Sequence, residues 1–336
     1  MQRIHFTSDD LCRVRLADGP DPLWEMTLAA NLLCNNYATL VFGAWKQLAR
    51  RAMPRSVEMF WRLAPPVGYI ADFVTPSAGA LDLTAGVDAV LSTGTARLTT
   101  DLGRLDEERP LPSWARSLAD GELDTVRRLG GELRAFHDAA VQPYWARIQS
   151  DVQADRAQRL RALAAGGTEA LLSSLHPRIT WQPPVLTIEY LTDTVPDRDM
   201  YLDGRGLVIL PSFFCFPGPL TLRDPELPPV LVCPIEHELG WADRGIEERS
   251  LTALLGRTRA AVLESVATGQ ARSTTQLARL LSISLASASQ HVAVLREAGL
   301  VASHRRGKEV VHCATGLGAD LLNGPRPADR VTRTPR

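Results

Sequence analysis

The chain has 336 residues, 45% hydrophobic and 22% charged, with a net charge of −1. That balance excludes a low-complexity or collagen-like chain and fits a globular protein with a substantial core, of two or three domains by length. No uninterrupted apolar run reaches about 18 residues and the first residues, MQRIHFTSDD, do not form a signal peptide, so neither a membrane span nor export is expected.

In chain order, residues 2–8 predict a short strand with Ile4 and Phe6 on one face. Asp21 is placed to cap a helix over 23–33 that has Pro22 at its first position and Trp24, Leu28 and Leu32 on an inward stripe. Helices follow over 43–53 and 56–63, the second ended by Pro65-Pro66. Thr84 is a cap for 85–92, and another helix covers 96–107. The longest helical region begins at 122–141, periodic in Leu123, Val126, Leu129, Leu133 and Phe136. Pro143 opens a helix to about Ala165 with Asp155 and Arg159 one turn apart, Gly166-Gly167 stops it, and 168–175 forms a short helix.

From Arg178 the pattern changes to strands at 185–190, 200–202, 206–210 and 230–232, several bounded by proline. They predict an antiparallel sheet of four or five strands, with room for the N-terminal strand. The expected fold is α+β. A mainly helical N-terminal body with a small antiparallel sheet (1–245; helical 1–177, strand-rich 178–235) precedes a C-terminal winged helix-turn-helix (250–322) and a disordered tail (323–336).

The motifs of common enzymes are missing. His237-Glu238 lacks the second histidine of H-E-x-x-H, and no P-loop, G-x-S-x-G or dinucleotide fingerprint occurs. Cys215 sits among phenylalanines, a setting for a buried, inert thiol. His137 and Asp138, adjacent on a helix, are read as pointing apart, in packing or surface roles. The five cysteines (12, 34, 215, 233, 313) are scattered and odd in number, which suits a reducing cytoplasm. No catalytic residue and no cofactor is expected.

The informative stretch is 273–313. Leu277, Leu280 and Leu281 form an apolar stripe, Ser282-Ile283-Ser284 breaks it, and Ser284 is an N-cap for the next helix. There Ala288, Val292 and Leu295 face inward, and Gly299 is a natural residue just past the end. Leu300-Val301 opens a strand, Arg305-Arg306-Gly307-Lys308 makes a basic turn, and Val310-Val311 returns. Between 256 and 313 there are eight Arg or Lys and three acids, a local +5 that leaves −6 on the rest of the chain. Basic charge is thus segregated where a nucleic acid would need it. The candidate DNA-binding set is Thr274, Thr275, Ser284, Ala286, Ser287, Ser289, Gln290 and His291, short or hydrogen-bonding side chains, with Arg305, Arg306 and Lys308 for phosphates.

Leu277-Ala278, Leu281, Ile283-Ser284, Ala288-Ser289, His291, Leu295-Arg296, Ala298-Gly299-Leu300-Val301 and Arg306-Gly307 resemble the ArsR/SmtB-type winged-helix regulators. A wider set also appears: Arg3-Ile4-His5-Phe6-Thr7, Asp21-Pro22-Leu23-Trp24-Glu25, Pro143-Tyr144-Trp145, Pro211-Ser212-Phe213-Phe214-Cys215 and Leu254-Leu255-Gly256-Arg257-Thr258-Arg259. It resembles an actinobacterial branch of that family in which a long N-terminal domain of uncharacterised function precedes the winged helix. The resemblance implies a homodimer that reads an inverted repeat in double-stranded DNA, usually as a repressor, in a cytoplasmic, nucleoid-associated setting. Metal-responsive members carry a cysteine pair on the helix before the recognition helix, or Asp and His on a C-terminal helix. Here 274–281 has no cysteine and 315–322 has only Asp320, so no metal is expected. The added N-terminal length and its tryptophans (24, 45, 61, 114, 145, 181) point to a small organic effector, or to a dimerisation role. Two other classes fit the same pattern: a winged helix that binds protein, and an enzyme domain joined to a DNA-binding module.

Overall fold

The computed structural model describes residues 1–35, 38–76, 82–190, 197–237, 241–242, 254–267, 272–281, 283–306 and 309–323. Expectations for Ser282, Gly307, Lys308 and the tail beyond 323 lie outside these residues. The chain divides into two compact units, Met1–Asn35 with Trp45–His237, and Asn36–Ala44 with Glu238–Arg336.

In chain order the first elements are β1 (Gln2–His5), α1 (Ser8–Cys12), β2 (Arg15–Leu16), α2 (Pro22–Leu33), α3 (Thr39–Ala52) and α4 (Glu58–Leu63). Helices α5 (Leu83–Leu91), α6 (Thr95–Glu108), α7 (Trp114–Ala119), α8 (Leu123–Ala140) and α9 (Trp145–Ser173) follow. Then come strands β3 (Ile179–Gln182), β4 (Val185–Ile188), β5 (Arg198–Tyr201), β6 (Val208–Ser212), β7 (Leu220–Thr221) and β8 (Val230–Pro234). The class is α+β.

The strands correct the expectation of one antiparallel sheet: among the described residues of this unit there are two four-stranded sheets, both mixed. The first has the order β3-β4-β1-β5, with β1 antiparallel to β4 and parallel to β5. The second has the order β2-β6-β8-β7, with β6 parallel to both β2 and β8 and β7 antiparallel to β8. Strand β1 joins the first sheet, for which the sequence left room, and β2 puts a further part of the expected helical body, 1–177, into the second. The runs at 206–210 and 230–232 carry the physical reason for the parallel pairing. Leu207, Ile209, Leu210, Leu231, Val232 and Cys233 are all buried, and continuous apolar strands are the mark of parallel strands covered on both faces. Ile4, Leu172, Leu186, Ile188, Ile209 and Leu231 meet in one core.

Caps explain several helix starts. The Asp21 carboxylate accepts from the Leu23 and Trp24 amides at 2.9 and 3.2 Å, as expected. For α5 the cap is Asp82, which accepts from the Ala85 amide at 2.8 Å, rather than Thr84. Val57 offers α4 no side-chain cap; Glu132 of α8 supplies it, accepting from the Met59 and Phe60 amides at 2.7 and 3.2 Å. Leu123 is 68% exposed, so the α8 stripe begins one turn later than its periodicity suggests. Within α9 the non-helical Gly166 and Gly167 separate two helical segments, the stop that the sequence predicts, and the second segment runs to Ser173.

Other buried carboxylates hold loops by their amides. Glu25 accepts from Phe213 and Phe214 at 2.8 and 2.9 Å, and Asp72 from Arg223 and Asp224 at 3.2 and 2.9 Å. Asp10 accepts from Gly206 at 2.8 Å, where φ is +73° and a Cβ would collide with the Arg13 carbonyl, so glycine is required.

The second unit contains α10 (Arg257–Ala267), β9 (Arg272–Ser273), α11 (Thr274–Leu281), α12 (Leu285–Glu297), β10 (Val301–Arg306), β11 (Glu309–Ala314) and α13 (Gly316–Asn323). The expected hairpin is there, with β9 added as a third antiparallel strand in the order β10-β11-β9. Val262, Leu263, Val266, Leu277, Val292, Leu295, Leu300 and Val301 form its core.

Candidate nucleic-acid interface

The helix-turn-helix is built by its end signals. Ser284 is extended (φ −65°, ψ 152°) and its hydroxyl accepts from the Ser287 amide at 3.1 Å, so α12 starts where the sequence places it. At the other end Gly299 takes φ +71°. Its amide donates to the Arg296 carbonyl at 3.0 Å, and the Leu300 amide to the Leu295 carbonyl at 2.9 Å. This paired C-terminal closure turns the chain sharply into β10. Leu277, Ala288, Val292 and Leu295 are buried, which fixes the rotation of α11 and α12 and so decides which side chains face outward.

The exposed candidates on these elements are Thr275, Ser284, Ala286, Ser289 and Gln290. Ser287 and His291 are half-buried and joined to one another, Ser287 Oγ to His291 Nε2 at 3.1 Å, one helical turn apart. Thr274 has a structural partner: its hydroxyl meets His312 Nε2 at 2.9 Å, while His312 Nδ1 meets the Ser303 hydroxyl at 2.9 Å. His312 is buried, and burial and the Arg296 charge hold its pKa below the usual histidine value. It ties the start of α11 to both long wing strands. The residues that His312 joins lie on separate elements, so no spacing in the sequence signals this role.

On the wing, Arg305 is exposed and pairs in register with Val310; Arg306 pairs with Glu309, its side chain lying outside the described atoms. Nearby, Arg272 donates to the Ser265 carbonyl at 3.0 Å, and burial lowers its pKa. Leu285 also stands at this surface. It stands three, seven and ten residues before the inward Ala288, Val292 and Leu295, yet it is 55% exposed because it is the first residue of α12.

Chemistry-bearing residues of the first unit are packed. Cys215 and Cys233 are fully buried, and burial pushes the Cys215 thiol well above its ordinary pKa and the Cys233 thiol up to about 12. His237 donates to the Phe213 carbonyl at 2.6 Å, and burial lowers its pKa to about 4. His137 is buried with Nδ1 at 3.4 Å from Asp138, so these neighbours touch, contrary to the expectation that they point apart. Trp45 is buried against Phe214 with its Nε1–H on the Ala140 carbonyl at 2.8 Å, and Trp61 packs edge-on to Phe136.

Residues 254–304 match the family model of a helix-turn-helix domain. The match runs from ahead of α10 into β10 and stops before the wing tip. No curated protein and no solved structure matches the chain. The C-terminal domain is a winged helix-turn-helix, and it supports a DNA-binding regulator. No helix among the described residues is long and apolar enough to cross a membrane.

Proposed function

We propose that the protein is a homodimeric repressor of the ArsR type that reads an inverted repeat through α12 and its wing. The observation that carries this reading is the exposed row Ser284, Ala286, Ser289 and Gln290 at the start of α12, short or amide side chains with no charge among them. Residues at the N-terminal end of a recognition helix are those that reach base edges, and a glutamine amide matches adenine in the major groove. Arg305, with Arg306 and Lys308 beside it in sequence, supplies phosphate contacts.

In this reading the two recognition helices enter successive major grooves about 34–36 Å apart. The N-terminal region dimerises the chain and receives a small organic effector. A coupling of about 1–3 kcal/mol between that site and the DNA changes affinity some 5–150-fold. The protein acts by binding and carries out no reaction. The test is a salt-series titration of the full chain against the DNA upstream of its own gene, with random duplex as competitor. Preferential binding that falls steeply with salt supports the reading. Equal binding to both duplexes, or none at low salt, overturns it.

A further inference from the structure

We propose that Leu285 is a specificity-determining residue that reads the 5-methyl group of a thymine. The inference rests on α12 being the recognition helix and deepens that reading. By phase Leu285 belongs with Ala288, Val292 and Leu295, whose exposures are 0%, 4% and 1%, but it remains 55% exposed. Leu277, Leu295 and Leu300 of the same unit are at most 6% exposed; Leu254 and Leu317 are exposed as Leu285 is, but neither lies on α11 or α12.

The first helical position favours an acid, because the unsatisfied amides there attract negative charge. Yet α12 has no acid in its first turn and carries a large apolar side chain in that place. A carboxylate would repel phosphates; a leucine does not. The surroundings name the target. Leu285 and Ser289 are neighbours one turn apart, as are Ala286 and Gln290, and no charged residue occurs from 285 to 295. Those residues of the helix therefore hold no arginine or lysine for the bidentate contact to guanine, whereas Gln290 suits adenine. The one apolar group that bases display in the major groove is the thymine methyl. Leu285 and Gln290 are five residues apart, about 7.5 Å along the axis, or roughly two base-pair steps. The thymine should then lie within about two steps of the adenine that Gln290 reads.

The experiment selects binding sites for the full chain from a randomised duplex library, then replaces each thymine of the half-site in turn by deoxyuridine. One replacement, within two steps of the adenine whose preference Gln290→Ala abolishes, should weaken binding about four-fold, the value of one buried methyl. Leu285→Ala should weaken binding to the thymine site at least as much and bind thymine and deoxyuridine sites equally. Its exposure predicts an unchanged unfolding transition, which circular dichroism checks. Deoxyuridine scans that stay within two-fold everywhere, or a Leu285→Ala protein that keeps the thymine preference, overturn the inference. A silent scan beside a Gln290→Ala protein that has lost specific binding sinks this inference alone. A library that yields no preferred sequence overturns it together with the DNA-binding reading.

Discussion

Replacing Glu25 by glutamine should flatten the pH dependence of stability in the first unit. Glu25 is wholly buried; burial, followed at some distance by the neighbouring Asp21 charge, raises its pKa from 4.5 to about 7 despite the Phe213 and Phe214 amides that favour the carboxylate. A raised folded pKa means that the native state binds the proton more tightly than the unfolded chain. The contribution is therefore fully present below about pH 4.5 and is lost as pH rises through about 7. A shift of this size corresponds to roughly 3 kcal/mol in total. About 2.5 kcal/mol of that falls between pH 5 and 8, and about 1.4 kcal/mol between pH 6 and 8. Asp21, raised by burial to about 6, adds to the decline at the acid end, so the interval above pH 6 isolates Glu25 best. The assay is urea unfolding followed by tryptophan fluorescence, because Trp24, Trp45, Trp61, Trp114, Trp145 and Trp181 all belong to the first unit. The substituted amide changes the hydrogen bonding to the two backbone N–H groups by a constant amount, so the slope with pH is the quantity to compare. A Glu25→Gln protein whose stability falls from pH 6 to 8 in parallel with the wild type would refute the argument.

Two further predictions concern the winged unit. Leu295→Ala empties a 1% exposed position in its core and should cost about 2–5 kcal/mol in chemical unfolding, with loss of DNA binding following loss of fold. Gly299→Ala forces a Cβ into φ +71°, and should cost about 1–2 kcal/mol by the same measurement while leaving the core intact.

The winged helix was legible because its signals are local. Ser284 and Gly299 mark the ends of α12, the inward residues recur at helical spacing, and the wing tip declares itself by charge. Asp21 and the helix stop at Gly166-Gly167 were visible for the same reason. The sheets were not, because pairing joins residues far apart: Ile4 meets Leu186 on one side and Met200 on the other. Alternation shows that a strand exists but not which neighbour it takes or in which direction. The cap of α4 was hidden likewise, since Glu132 lies more than 70 residues from the amides it accepts. At the interface, Leu285 keeps the phase of a core residue, and only the position of the helix start reveals that the core does not reach it. His312 holds Thr274 and Ser303 across separate elements, a contact that no spacing in the sequence announces.

The central claim, that α12 reads bases while the wing holds phosphates, is tested most directly by comparing Gln290→Ala with Arg305→Ala on a selected operator and on random duplex over a range of salt. The account predicts that Gln290→Ala loses about 1–3 kcal/mol on the operator and nothing on random DNA, with an unchanged salt slope. Arg305→Ala should weaken both alike and reduce the slope by about 0.9. Equal losses from the two variants on both duplexes would contradict it.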